Sequence, residues 1–102
     1  MTLHTLNRSP FSHLQTCDDC LKSLCPGDAL MLLEDGVLNI LPASPLQGRI
    51  QAFTEMGGEV FVMGADLAAR GLESFCPTDL QKIDMDGFVD LCVTHNPVQS
   101  WY

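Results

Sequence analysis

Hydrophobic and polar positions fall in blocks along this chain. Short, fully apolar runs are separated by stretches in which apolar residues return every three or four positions. Leu3 to Leu6 is the first apolar run, and it opens into the polar turn Asn7-Arg8-Ser9-Pro10, which predicts a strand running into a loop. A helix follows over Cys17 to Leu24, stopped by Pro26-Gly27. Its start is open between two capping boxes, Ser12 with Gln15 and Thr16 with Asp19. Ala29 to Leu33 has no polar break and is too short for a helix by itself. It fits a strand buried on both faces, as in a parallel sheet. Glu34-Asp35-Gly36 ends that strand with turn chemistry.

Ser44-Pro45-Leu46-Gln47 is the clearest helix start, with Ser44 as cap, Pro45 at the first helical position and Gln47 completing the box. Leu46, Ile50 and Phe53 then share one face, and Gly57-Gly58 ends the helix. Val60 to Met63 is a second fully apolar strand. A short helix over Asp66 to Arg70 closes at Gly71. Leu80 to Ile83 reads as a half-exposed strand. The last helix begins after Asp84, places Met85, Phe88, Val89 and Cys92 on one stripe, and ends near His95, before Pro97. Strands alternating with helices predict a single α/β domain over residues 1–102, with three layers, a mainly parallel sheet and helices on both faces. Chemistry in such sheets gathers at the carboxyl ends of strands, here Asn7 to Ser12, Glu34 to Val37 and Gly64 to Asp66.

Composition narrows the functional classes. With 102 residues the chain is one domain, and its 46% hydrophobic content supports a packed core without disulfides or metal. No apolar run approaches a membrane helix, and Met1-Thr2-Leu3-His4 lacks the basic stretch and apolar core of a signal peptide, so a cytoplasmic location is expected. Five basic residues stand against thirteen acidic ones, a formal charge of −8. That surface repels phosphate backbones and anionic membranes, so an RNA substrate would be reached only through a partner. Five cysteines, an odd count, read as thiols in a reducing cytosol.

Cys17-Asp18-Asp19-Cys20 is a C-x-x-C pair. A dithiol redox enzyme needs one thiol of lowered pKa, whereas the two aspartates between these thiols raise it. A zinc site from His13, Cys17, Cys20 and Cys25 ranks below that, because no second ligand pair of suitable spacing exists. Cys25 sits at a helix C-terminus, where the dipole disfavours a thiolate. Cys76 lies in a loop before Pro77, and Cys92 reads as a small core residue. His4 reads as a hydrogen-bonded core or interface histidine, and His95 as a residue complementing a helix dipole. Glu34-Asp35 reads as a solvated turn more than as a paired acid and base. No Gly-rich phosphate loop follows any strand. Trp101-Tyr102 holds the only Trp and the only Tyr and is expected to pack on the body or on another subunit.

The opening segment Leu3-His4-Thr5-Leu6-Asn7-Arg8-Ser9-Pro10-Phe11 resembles the signature of the DsrH/TusB family of sulfur-relay proteins. Glu34-Asp35-Gly36-Val37, Asp66-Leu67-Ala68-Ala69-Arg70-Gly71, Asp86-Gly87-Phe88-Val89-Asp90-Leu91 and His95 with Gln99-Ser100-Trp101 agree in order and spacing. The resemblance spans essentially the whole chain. It implies a DsrE-like fold and a cytoplasmic heterohexamer with DsrE/TusD-like and DsrF/TusC-like subunits. The main persulfide-carrying cysteine would sit on the DsrE/TusD-like subunit, and the sulfur would pass to a DsrC/TusE-like carrier. Its destination would be tRNA wobble 2-thiouridine (Tus type) or sulfur oxidation (Dsr type). Cys20 matches a cysteine typical of DsrH-type members, which makes it the candidate persulfide acceptor here. Cys17, Cys25, Cys76 and Cys92 depart from the pattern and inherit no role. The resemblance implies no cofactor and no metal. Two other readings stay open: an autonomous thiol-disulfide oxidoreductase using Cys17 and Cys20, and a scaffold subunit without catalytic function.

Overall fold

The apolar runs become the interior of one sheet. In the computed structural model, which describes residues 1–102, five strands pair in the order β4-β3-β2-β1-β5. They are β1 (Leu3–Leu6), β2 (Ala29–Leu32), β3 (Glu59–Met63), β4 (Gln81–Ile83) and β5 (Val98–Trp101), and every neighbouring pair is parallel. Parallel pairing requires a crossover between successive strands, and helices supply it. These are α1 (Leu14–Lys22), α2 (Gln47–Glu55), α3 (Gly64–Ala69) and α4 (Met85–Thr94), with 3₁₀ turns at Glu34–Ile40 and Glu73–Phe75. The expected three-layer α/β architecture is what the chain adopts. No helix is long and apolar enough to cross a membrane.

Side chains alternate across the sheet, so β1, β2 and β3 each feed two cores. Leu6, Leu30, Leu32, Val60 and Val62 join α1, α2, α3 and the Glu34–Ile40 turn in a cluster of 15 buried residues. Leu3, Ala29, Met31, Phe61 and Met63 point the other way, beneath Phe88, Leu91 and Cys92 of α4. The first layer therefore has several elements and the second has one helix.

Three expectations are corrected. The first helix runs Leu14–Lys22, short of the expected end at Leu24, and neither of the two capping boxes left open for its start is used: His13 occupies the cap without a side-chain bond, and Ser12 Oγ engages His13 Nδ1. Tertiary packing of Cys17, Cys20 and Leu21 sets the register of that helix more strongly than its cap does. Ser44 accepts from the Leu46 N–H through its hydroxyl, but the turn it caps precedes the regular helix, which starts at Gln47. The stripe of the last helix splits: Asp84 caps it by accepting from Gly87 N–H, yet Met85 and Val89 face outward while Phe88 and Cys92 are half-buried. Cys92 is thus not the enclosed core residue its position on the stripe suggested.

The C-terminal segment is a strand that periodicity did not reveal. β5 is only four residues long and three of them are exposed, so it carries no alternation. Its partner specifies it: Leu3, His4, Thr5 and Leu6 of β1 pair in register with Val98, Gln99, Ser100 and Trp101.

Candidate functional site

Two separated sequence segments meet at the carboxyl ends of the strands. Glu34 leaves β2 with φ of +51°, a backbone state that disfavours ordinary residues. Its N–H donates to Asp66 Oδ2 at 2.7 Å, which holds the turn from across the sheet. Arg70 donates through Nε and Nη2 to Asp35 Oδ1 at 3.2 and 2.8 Å, and through Nη1 to the Asp66 carbonyl at 3.2 Å. Gly36 packs against the end of β1, where a Cβ would overlap the Leu6 carbonyl oxygen. Glu34 and Asp35 are both exposed in a turn, as the sequence predicts, and the turn is tied to α3 through the Glu34 N–H and the Asp35 carboxylate.

Beside this network lies a cleft of about 570 Å³ at the ends of β2, β3 and β4. Met63, Met85, Ile83 and Leu33 give it apolar walls, with Lys82 as its one cation among Glu34, Asp66, Glu73 and Asp84. No cysteine lines it, so the cleft by itself holds no sulfur nucleophile.

The thiols lie elsewhere. Cys17 and Cys20 sit three apart on α1 and both point into the larger core, with no exposed surface. Cys17 Sγ donates to the Arg8 carbonyl at 3.3 Å, and Asn39 Nδ2 approaches the sulfur at 3.8 Å. Burial pushes the Cys17 thiol up, and the Asn39 contact only partly opposes that. Cys20 is pushed up to about 12, first by burial and then by the neighbouring Cys17. A thiol-disulfide enzyme needs an accessible thiol with the opposite shift. Cys20, the candidate acceptor, has neither exposure nor an accessible thiolate in this conformation. Cys17, the partner of Cys20 in the redox alternative, is equally enclosed.

The remaining cysteines are closer to solvent. Cys25 is exposed, while Cys76 and Cys92 are half-buried. Burial raises the Cys76 thiol, with Lys82 acting against it. His13, Cys17, Cys20 and Cys25 do not converge on a metal-ligand cluster.

His4 is the core histidine its strand position suggested. It is buried, and Nε2 lies 3.1 Å from Asp28 Oδ2. Trp101 Nε1–H can only donate, and it does so to His4 Nδ1 at 3.1 Å. Nδ1 is therefore the acceptor, and Nε2 carries the proton given to Asp28. Burial works to raise the Asp28 carboxyl, but the Cys25 and Thr2 N–H groups and His4 hold it below the usual range. Trp101 thus packs on the body of its own chain, while Tyr102 stays exposed. His95 Nδ1 meets the Leu91 carbonyl at 2.9 Å, at the helix end where its sequence position put it.

Sequence reasoning missed Asp28 and Asn39. Asn39 is fully buried, and its Nδ2 also serves the Gly36 carbonyl at 2.9 Å and the Arg8 carbonyl at 3.3 Å. One asparagine thereby ties the loop after β1, the turn after β2 and α1 together. The available signal was weak: a polar residue inside the apolar stretch Val37 to Leu41.

Comparison with known proteins places this arrangement. A family model described as "DsrH like protein" matches residues 8–98. The chain is 34% identical over 99 residues to Protein TusB of Pectobacterium parmentieri, covering 97% of this chain and 99% of the relative. The same figures hold for Protein TusB of Escherichia coli O81. Among solved structures, protein MTH1491 of Methanobacterium thermoautotrophicum superposes with a TM-score of 0.72 at 12% identity, covering 97% of this chain and 96% of that one. Protein Tm0979 of Thermotoga maritima gives 0.58 at 19%, covering 89% and 90%. The structural likenesses concern the fold.

Proposed function

The chain belongs to the DsrH/TusB family, and from that membership we propose that it serves as a non-catalytic subunit of a cytoplasmic sulfur-relay complex. The observation that carries this reading is the match to TusB proteins over nearly the entire length of both chains. Its partners in the proposal are DsrE/TusD-like and DsrF/TusC-like subunits, and the complex hands persulfide sulfur to a DsrC/TusE-like carrier. The sulfur then enters tRNA wobble 2-thiolation or sulfur oxidation.

Burial supports a non-catalytic part for the chain in that relay. Persulfide transfer needs a thiolate that attacks a sulfane sulfur and then yields it to another thiol. Cys20 is enclosed and its thiol is pushed up to about 12, so the attacking cysteine belongs on a partner. The acidic surface agrees with this division, because the RNA would be handled downstream.

The test is native mass spectrometry of the complex purified from its own host, with each released subunit weighed for added sulfur. A mixed complex carrying sulfur only on a partner is expected, and Cys20→Ala should leave both assembly and sulfur flux unchanged. Added sulfur on Cys20 would restore it as an acceptor. A lone chain with no partner would overturn the subunit role.

A further inference from the structure

α4 combines two properties that do not belong together in an isolated chain. Six of its ten residues are apolar, yet none of the ten is buried. Phe88, Leu91 and Cys92 cover the sheet, which leaves Met85, Val89 and Val93 as an outward ridge at four-residue spacing. They are 60%, 53% and 79% exposed. Val98 extends the ridge: it pairs in register with Leu3, on the α4 side of the sheet, and is itself exposed.

A second observation says what covers the ridge. Asp86 and Asp90 flank it one turn apart, both exposed and neither in an ion pair. Like charges at that spacing weaken a helix rather than support it. The helix holds no basic residue to relieve them. A second copy of this chain offers them little. Lys22 and Arg49 are paired with Asp18, and Arg70 with Asp35 and Asp66, which leaves only Arg8 and Lys82 in a chain of charge −8.

We infer that the outward face of α4 docks a different subunit, one presenting an apolar ridge bordered by Lys or Arg. The inference rests on reading the chain as part of a hetero-oligomer and adds the face and the chemistry of the contact. Apolar residues enclosed by the partner exclude water, while the rim pairs set orientation and speed the encounter. Met85 belongs both to the ridge and to the strand-end cleft, so the docked subunit would border the cleft.

The test titrates the full-length chain with the DsrE/TusD-like and DsrF/TusC-like subunits of its own host, by sedimentation and by amide hydrogen exchange. Val89→Lys/Val93→Lys should raise Kd at least ~10-fold, the scale of losing central interface residues. Asp86→Asn/Asp90→Asn should raise it several-fold and flatten its dependence on salt. Met56→Lys, at an exposed apolar residue elsewhere, should leave it unchanged. In the wild-type complex, amides 85–94 should gain protection. A mixed complex indifferent to the first two variants, or without that protection, overturns the α4 face and leaves the subunit role standing. Absence of any mixed complex overturns both. A homo-oligomer broken by Val89→Lys/Val93→Lys overturns the choice of partner.

Discussion

Each face of the sheet buries five apolar strand side chains, but their covers differ. On one side α1, α2, α3 and neighbouring turns add ten further buried residues, among them Cys17 and Cys20. On the other side the covering residues Phe88, Leu91 and Cys92 are only partly buried. Composition does not explain this. α1 has four apolar residues in nine and buries three of them, whereas α4 is more apolar and buries none. A helix closes a face when its apolar residues lie on one stripe, and α4 carries them on two sides. The closed side stores stability and hides its thiols. The open side keeps surface for contact.

The largest break in this comparison should come from the closed side. Leu32→Ala, at a fully buried position, is expected to cost ~2–5 kcal/mol in urea unfolding, from lost burial plus the cavity left behind. If Val93→Ala on the open side costs as much, the contrast between the faces is wrong. Next is Asn39→Ala, which strips a donor from the buried Gly36 carbonyl and from the Arg8 carbonyl and should cost ~1–3 kcal/mol by the same measurement. A loss below that range would mean the loops after β1 and β2 are held by something else.

Cys20 sharpens the contrast through pH. Its folded thiol is pushed up to about 12, above its ordinary value, so the folded state holds its proton where the unfolded chain has released it. The stabilisation is complete below the unfolded value near 9 and is lost as pH rises from there through about 12. The unfolding free energy from urea titration should therefore fall between pH 9 and 11, by at most ~1.4 kcal/mol per pH unit from this group, and Cys20→Ala should flatten that slope. At pH 8 the folded Cys20 thiol stays protonated and enclosed, so a disulfide reagent should modify Cys25 first and Cys20 only on unfolding. Early labelling of Cys20 would reopen its role as acceptor. The smallest effect is expected from Val89→Lys, which should change the stability of the isolated chain by no more than ~0.5 kcal/mol. A larger loss would make Val89 part of the core rather than of the surface.

What the chain's own pattern determined is the frame. Ala29 to Leu33 and Val60 to Met63 announce two-sided strands because a parallel sheet buries both faces, and that requirement is written residue by residue. Gly57 and Gly71 end their helices with positive φ, a local need that local identity reveals. The family was also legible, since its motifs are stretches of adjacent residues. Tertiary structure alone decided the rest. β5 exists because β1 offers an unpaired edge, and an edge strand needs no alternation of its own. Met85, Phe88, Val89 and Cys92 are all apolar, and only the placement of α4 over the sheet separates those it covers from those it leaves outside. Resemblance makes Cys20 the expected acceptor, but its thiol is desolvated in a core shared with Leu6, Val37 and other residues remote in sequence. Burial is a property of the packed whole, so the sequence could nominate the thiol while the fold withheld it.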